Sequence, residues 1–397
     1  MATDKLASDL ALGTGALGRY HVASSAPHRD ITVKVDGLLQ QLVELDGSDL
    51  HLKAGSPPVM RVYGALKVCS EVPPLTTEQI EAVFFDLSSD EQRSAFAKDL
   101  SLDFAYSISG LGRFRTSAIK QRGSISIAFR LVPHHIRSIE DLGLPEICKE
   151  LMMKPRGLIL VTGPAGSGKS TTLAAMIEYL NQHETRNVIT IEDPIEFLFQ
   201  DKKCLIHQRD LGDDCKTFSR ALIEALRHDP DVLVIGEMRD LDTIATAMTA
   251  AETGHLVLGT LHTIDAAQSV DRVIDMFPYG QQRQIRLQLS QVVEAVVSQA
   301  LLPKIGGGRV PAVEVMLATN VIRRLIRDEK IHEIPANIEM GKLEGMQTLD
   351  QALMELVKNE SVSIDDAAAR SSNPRKLFES LKFLPPAPNR QPGMARV

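Results

Sequence analysis

One stretch constrains the architecture of this 397-residue chain more than any other. Leu158–Val161 is an apolar run with strand character; Gly163-Pro-Ala-Gly-Ser-Gly-Lys-Ser170 follows, and Leu173, Met176, Ile177 and Leu180 then recur at helical spacing. The loop fits G-x-x-x-x-G-K-[ST], and it stands between a strand and a helix as that motif requires. Its glycines let successive backbone N–H groups turn inward around a phosphate chain. The helix that follows aims its positive end at the same anion. Gly163, Pro164, Ala165, Gly166, Ser167, Gly168, Lys169, Ser170 and Thr171 are therefore expected to hold a nucleoside triphosphate. In that arrangement Lys169 reaches the β- and γ-phosphates and the Ser170 hydroxyl ligates Mg²⁺.

The chain beyond this loop alternates strand and helix, the pattern of a parallel sheet covered on both faces. Strands are expected at 187–191, 232–235 and 256–261, with helical stripes at Phe218, Ala221, Leu222, Ala225 and Leu226 and at Ile244, Ala245, Met248 and Ala251. Ligands of such sheets bind beyond the carboxyl ends of the strands. Ser170, Glu192, Asp193, Glu237 and His262 all fall at or just past such ends. Glu237 stands where a carboxylate would polarise an attacking water; the alternative is a solvated turn residue. Many phosphate-loop enzymes carry a Mg²⁺-binding aspartate just before that position, and here it is Gly236. The metal must then rest on Ser170, the triphosphate, water and Glu192. Glu192 and Asp193 are neighbours on an extended segment and point to opposite faces, so one of them is expected at the γ-phosphate and the other in the Asp-Pro turn. His262 is a candidate γ-phosphate sensor, with a structural role as its alternative.

Phosphoryl transfer also calls for cations on the γ-phosphate. Arg209, Arg220, Arg227 and Arg239 lie in the strand–helix region, and Arg113, Arg115, Arg122 and Arg130 in an upstream region of alternating strands. Arg115 and Arg130 are the preferred pair, each on an expected strand with apolar neighbours, so that one face would present guanidinium groups across a cleft.

This length suggests more than one domain. A leader at 1–32, a first α+β domain at 33–132, a polar connection at 133–140, an α/β domain at 141–381 and a disordered Pro-rich tail at 382–397 are the expected divisions. The net charge of −7 argues against a general nucleic-acid partner. The four cysteines Cys69, Cys148, Cys204 and Cys215 include no C-x-x-C pair, so a zinc ribbon is not expected.

Four blocks make the chain resemble the PilT-type ATPases of the bacterial type IV pilus, within the type II/type IV secretion ATPase superfamily. They are Gly163-Pro-Ala-Gly-Ser-Gly-Lys-Ser-Thr, the "Asp box" Ile191-Glu-Asp-Pro-Ile-Glu-Phe, the atypical Walker B Val234-Ile-Gly-Glu-Met-Arg-Asp, and the "His box" Gly254-His-Leu-Val-Leu-Gly-Thr-Leu-His-Thr. Gly236 belongs to that pattern. The resemblance implies a PAS-like α+β N-terminal domain followed by a RecA-like ATPase domain with a mainly parallel sheet. It implies ATP and Mg²⁺ as cofactors, Glu237 as the catalytic glutamate, Glu192 as the Asp-box acid, His262 as the His-box histidine, and Arg209 and Arg227 near the nucleotide. Further implications are a homo-hexamer, an inner-membrane pilus platform protein as partner, and a cytoplasmic place at the membrane's inner face reached through that partner. Without the four-cysteine module of extension motors, the resemblance favours pilus retraction. Val321-Ile-Arg-Arg-Leu-Ile departs from the retraction motor's Ala-Ile-Arg-Asn-Leu-Ile at Val321 and Arg324, which keeps an accessory retraction paralogue as the alternative.

Overall fold

The computed structural model describes residues 34–133 and 136–382; the expectations placed on 1–32, on 134–135 of the connection and on 383–397 lie outside the described residues. Two sheets organise the rest. The first belongs to α1 (Val35–Glu44), β1 (Gly47–Lys53), β2 (Val59–Val62), β3 (Ala65–Val68), α2 (Thr77–Leu87), α3 (Asp90–Asp99), β4 (Ser101–Ile108), β5 (Gly112–Gln121) and β6 (Ser124–Leu131). Its six strands run antiparallel in the order β3-β2-β1-β6-β5-β4. Strand alternation sends Phe114, Thr116 and Ala118 of β5 inward and leaves Arg115 exposed on the opposite face. The inward side chains meet Leu39, Leu42, Ile80 and Phe84 from the helices in one core. Both α2 and α3 begin with reciprocal capping boxes, Thr76 with Gln79 and Ser89 with Gln92.

The second sheet is built from β7 (Gly157–Thr162), β8 (Asn187–Glu192), β9 (Leu205–Asp210), β10 (Val232–Ile235), β11 (Leu256–Leu261), β12 (Val293–Pro303) and β13 (Arg309–Leu317). Its order is β13-β12-β7-β11-β10-β8-β9, and every pairing is parallel except β12 with β13. The strands are joined and flanked by α4 (Ile147–Met152), α5 (Lys169–His183), α6 (Phe218–Ala225), α7 (Leu241–Glu252), α8 (Ala266–Asp275) and α9 (Tyr279–Val292). After β13 come α10 (Asn320–Arg327), α11 (Ile334–Met340), α12 (Leu349–Lys358), α13 (Ile364–Ala368) and α14 (Pro374–Lys382). The apolar run in β7 serves two cores at once. Leu158 and Leu160 join the layer beneath α6, α7 and α8, while Ile159 and Val161 join the layer beneath α5. Burial on both faces is why these strands read as continuous apolar runs. Each such side chain contributes about 1.5–3 kcal/mol of burial. The α/β class with a mainly parallel sheet thus agrees with the expectation.

Contacts between the two sheets run through Arg113, whose Nη2 donates to Asp210 Oδ2 at 2.6 Å, and through the Ala105 amide, which donates to Asp213 Oδ2 at 3.4 Å.

The carboxylate of Glu314, on β13, is buried and accepts the amide N–H of Ala266 at 2.8 Å and that of Leu349 at 3.4 Å. It thereby ties the starts of α8 and α12 to the sheet. Burial, with Asp265 and Asp350 nearby, pushes its carboxyl up to about 7 against the pull of those two amides. An acid raised in the folded state holds its proton there longer than in the unfolded chain. Its stabilisation is complete below the ordinary value of 4.5 and is lost as pH rises through about 7. Glu314→Gln is expected to remove that part of the pH dependence, on the order of 3 kcal/mol between those limits. Urea unfolding from pH 4.5 to 8 checks it, and equal slopes in variant and parent would refute it.

Candidate active site

The carboxyl ends of β7, β8, β10 and β11 open into one cleft of about 480 Å³, a volume in the range of small-ligand sites. Beyond β7 the chain turns over Gly163, at φ 145°, and enters α5 through Gly168, at φ 91°. A Cβ on Gly163 would stand 2.4 Å from the Gln299 carbonyl oxygen and 2.6 Å from Ser167 Oγ, so this turn has room for glycine alone. Ala165, Gly166, Gly168, Lys169, Ser170 and Thr171 line the cleft. Gly163 and Ser167 are buried beneath it, against β12. The Lys169 ammonium donates to the Gly163 carbonyl at 2.9 Å and to the Pro164 carbonyl at 3.2 Å. Burial lowers its pKa, and Glu237 and Glu196 pull the other way.

Across the cleft, Glu237 Oε1 lies 3.0 Å from His262 Nε2 and also takes the Arg239 Nε. Burial works to raise its carboxyl; Arg239 and His262 outweigh that and hold it below the ordinary carboxylate range. Of the arginines singled out in the sequence, Arg239 is the one beside the carboxylate at the end of β10.

Gly236 has a packing reason. Its amide donates to the Ile191 carbonyl at 2.7 Å, and a Cβ there would come within 3.0 Å of that same oxygen and 3.1 Å of Glu192 Cα. An aspartate would push the two strands apart. Glu192 Oε1 accepts from Thr190 Oγ1 at 2.7 Å and from Gln208 Nε2 at 3.1 Å. Burial raises its carboxyl despite these bonds. Asp193 is exposed, and both acids line the cleft.

Four arginines expected at the nucleotide are elsewhere in this chain. Arg115 and Arg130 are cross-strand partners on the outer face of the first sheet; Arg115 pairs with Asp103 at 3.8 Å and Arg130 with Asp49 at 2.8 Å. Their alternation is as read, but their face of the sheet does not line the cleft. Arg209 Nη2 is held by Glu224 and by the Asp214 carbonyl, both at 3.0 Å, and Arg227 is exposed after α6. Arg137 and Arg309 line the cleft instead. Neither carries a local signal: one sits in the polar connection and the other starts a hairpin strand.

The residues fit a nucleotide with Mg²⁺. A Cβ on Gly166 would meet nothing within 4 Å, which leaves the loop's mouth open to a phosphate. The donors around it are hard oxygens, Ser170 with Glu192 and Glu237, which suit Mg²⁺. Among the described residues no three His, Cys, Asp or Glu side chains gather as a metal site, so phosphate and water oxygens would complete the shell.

The sequence profile of the type II/IV secretion system protein family matches residues 109–307. The type IV pilus retraction ATPase PilT of Pseudomonas aeruginosa is 48% identical over 327 residues, 82% of this chain and 95% of that protein. The chain belongs to the type II/IV secretion system protein family. A second relative, the type IV pilus ATPase PilU of the same organism, is 40% identical over 352 residues, 88% of this chain and 92% of PilU. The crystal structure of the pilus retraction motor PilT with bound ADP superposes with a TM-score of 0.81 at 44% identity, covering 87% of this chain and 99% of that one. The family expected from the four sequence blocks is the family found.

Proposed function

We propose that this chain is a motor ATPase that hydrolyses ATP to drive type IV pilus disassembly and retraction. The observation that carries this is its likeness, 48% identical along nearly the whole relative, to the retraction ATPase of P. aeruginosa. The cleft supplies the chemistry. The loop 163–168 and the start of α5 bind the phosphates, Lys169 neutralises the β- and γ-oxygens, and Ser170, with Glu192 through water, holds Mg²⁺. Glu237, kept ionised by Arg239 and His262, orients and deprotonates the attacking water.

The working unit is a homo-hexamer. Arg115, Arg130, Arg209 and Arg227 lie outside their own chain's cleft, and in this reading they serve a neighbour's nucleotide, with heterologous contacts closing the ring. Residues 33–132 and 141–381 act as two domains whose relative movement follows the nucleotide. The partner is an inner-membrane pilus platform protein, which brings the ring to the cytoplasmic face; no described helix is long and apolar enough to cross a membrane itself. The acidic balance does not suit a nucleic-acid track.

Deleting the gene and scoring pilus number with surface motility tests the proposal. Hyperpiliated, non-motile cells support it, and bald cells would make the chain an assembly motor. The accessory paralogue is the second reading because of Val321 and Arg324 on α10, both exposed, where the chain departs from the retraction motor's element. A deletion that leaves retraction running would support that reading.

A further inference from the structure

We infer that Gln299 is a positioning residue of the phosphate loop, holding one backbone N–H on the nucleotide's phosphates. β12 runs parallel to β7, with Ser298 opposite Thr162, and so delivers Gln299 directly under the loop. The side chain is buried, at 2% exposure, and its Nε2 donates to the Ser167 carbonyl at 2.6 Å. The Gln299 backbone oxygen fills the space a Cβ on Gly163 would need, and Nε2 stands 3.1 Å from where a Cβ on Gly168 would sit. One residue therefore backs the loop at its start, middle and end.

Planarity of the peptide carries the consequence. In a trans peptide the C=O and the following N–H point in opposite directions. Fixing the Ser167 carbonyl downward onto Gln299 turns the Gly168 N–H upward into the cleft, where it finds no acceptor among the described residues. Gln299 Oε1 and Ser167 Oγ are both buried without a hydrogen-bond partner. Unsatisfied polar atoms of this kind lower stability. A hydrocarbon at 299 would remove the orphaned Oε1 but would leave the Ser167 carbonyl without its donor, so the amide is accounted for by the loop geometry it holds.

This inference rests on the cleft being the ATP site. An N–H that meets the phosphates in ground and transition state alike contributes uniform binding, so its loss acts on KM and leaves kcat. Gln299→Met keeps length and volume without the amide, and Gln299→Glu sets a carboxylate oxygen against the Ser167 carbonyl. In the full-length chain both are expected to weaken ADP binding and raise KM for ATP about tenfold, with kcat within about twofold of the parent. Calorimetric titration with ADP and steady-state ATPase kinetics read both quantities. Parent-like ADP affinity in either folded variant overturns the inference. So does a fall in kcat at unchanged KM. Variants that stay unfolded at saturating ADP also overturn it, because the contact would then belong to the core. Failure of the unaltered chain to bind ADP would instead remove the nucleotide reading itself.

Discussion

Lys169→Ala is expected to abolish ATP turnover, by at least about 10³-fold, the upper end of what one donor aimed at developing charge supplies. Among the described residues the ammonium is held by the Gly163 and Pro164 carbonyls, inside the cleft and partly shielded from water. Two neutral acceptors are a weak tether compared with a triphosphate. The group is therefore free to exchange them for β- and γ-oxygens, where its full charge acts in a medium less polarisable than water. Burial lowers its pKa, and an anion arriving beside it would pull the other way and favour the charged form further. The substitution removes no core contact, and the variant should unfold at the parent's temperature. Steady-state hydrolysis with a melting curve checks both halves. Normal turnover in the folded variant would mean that the loop is not the working site.

Glu237→Gln is expected to bind ATP yet hydrolyse it at least about 10²-fold more slowly, the lower range for a positioned general base. The amide keeps the shape and can still accept from His262, but it cannot take a proton from water. Arg239 and His262 hold the Glu237 carboxyl below its ordinary range, so the ionised base persists through the neutral region and the acid limb of kcat/KM lies below the ordinary carboxylate range. Arg239→Ala should move that limb upward, because the side chain that opposes burial is gone. Single-turnover hydrolysis across pH measures both effects. Near-parent turnover in Glu237→Gln would transfer the role to Glu192 or Asp193, which line the same cleft.

Much of this site could be read from the sequence because its signals are local. The turn at Gly163 to Ser170 needs particular backbone angles, and only a particular string of residues supplies them. Likewise the apolar runs at 158–161, 232–235 and 256–261 become parallel strands, and a polar residue ending such a run arrives at the ligand edge by topology alone. The capping pairs Thr76-x-x-Gln79 and Ser89-x-x-Gln92 are local signals too, announcing the starts of α2 and of α3, the latter with only Phe96 buried.

Other features depend on residues distant in the chain. Arg115 and Arg130 have the alternation of cleft-facing residues, but alternation says only that they share a sheet face, not what that face meets. Glu237 acquires its electrostatic setting from Arg239, two residues on, and from His262 at the end of a different strand. Gln299, more than a hundred residues past the loop, is brought beneath it by the pairing of β12 with β7. The backbone turn at the mouth of the cleft and the strands that present acids to it were thus determined by sequence, through short-range sterics and burial. Which side chains meet across the cleft was decided by the tertiary structure alone, because pairing in a sheet and the packing of its faces join residues with no local relation to one another.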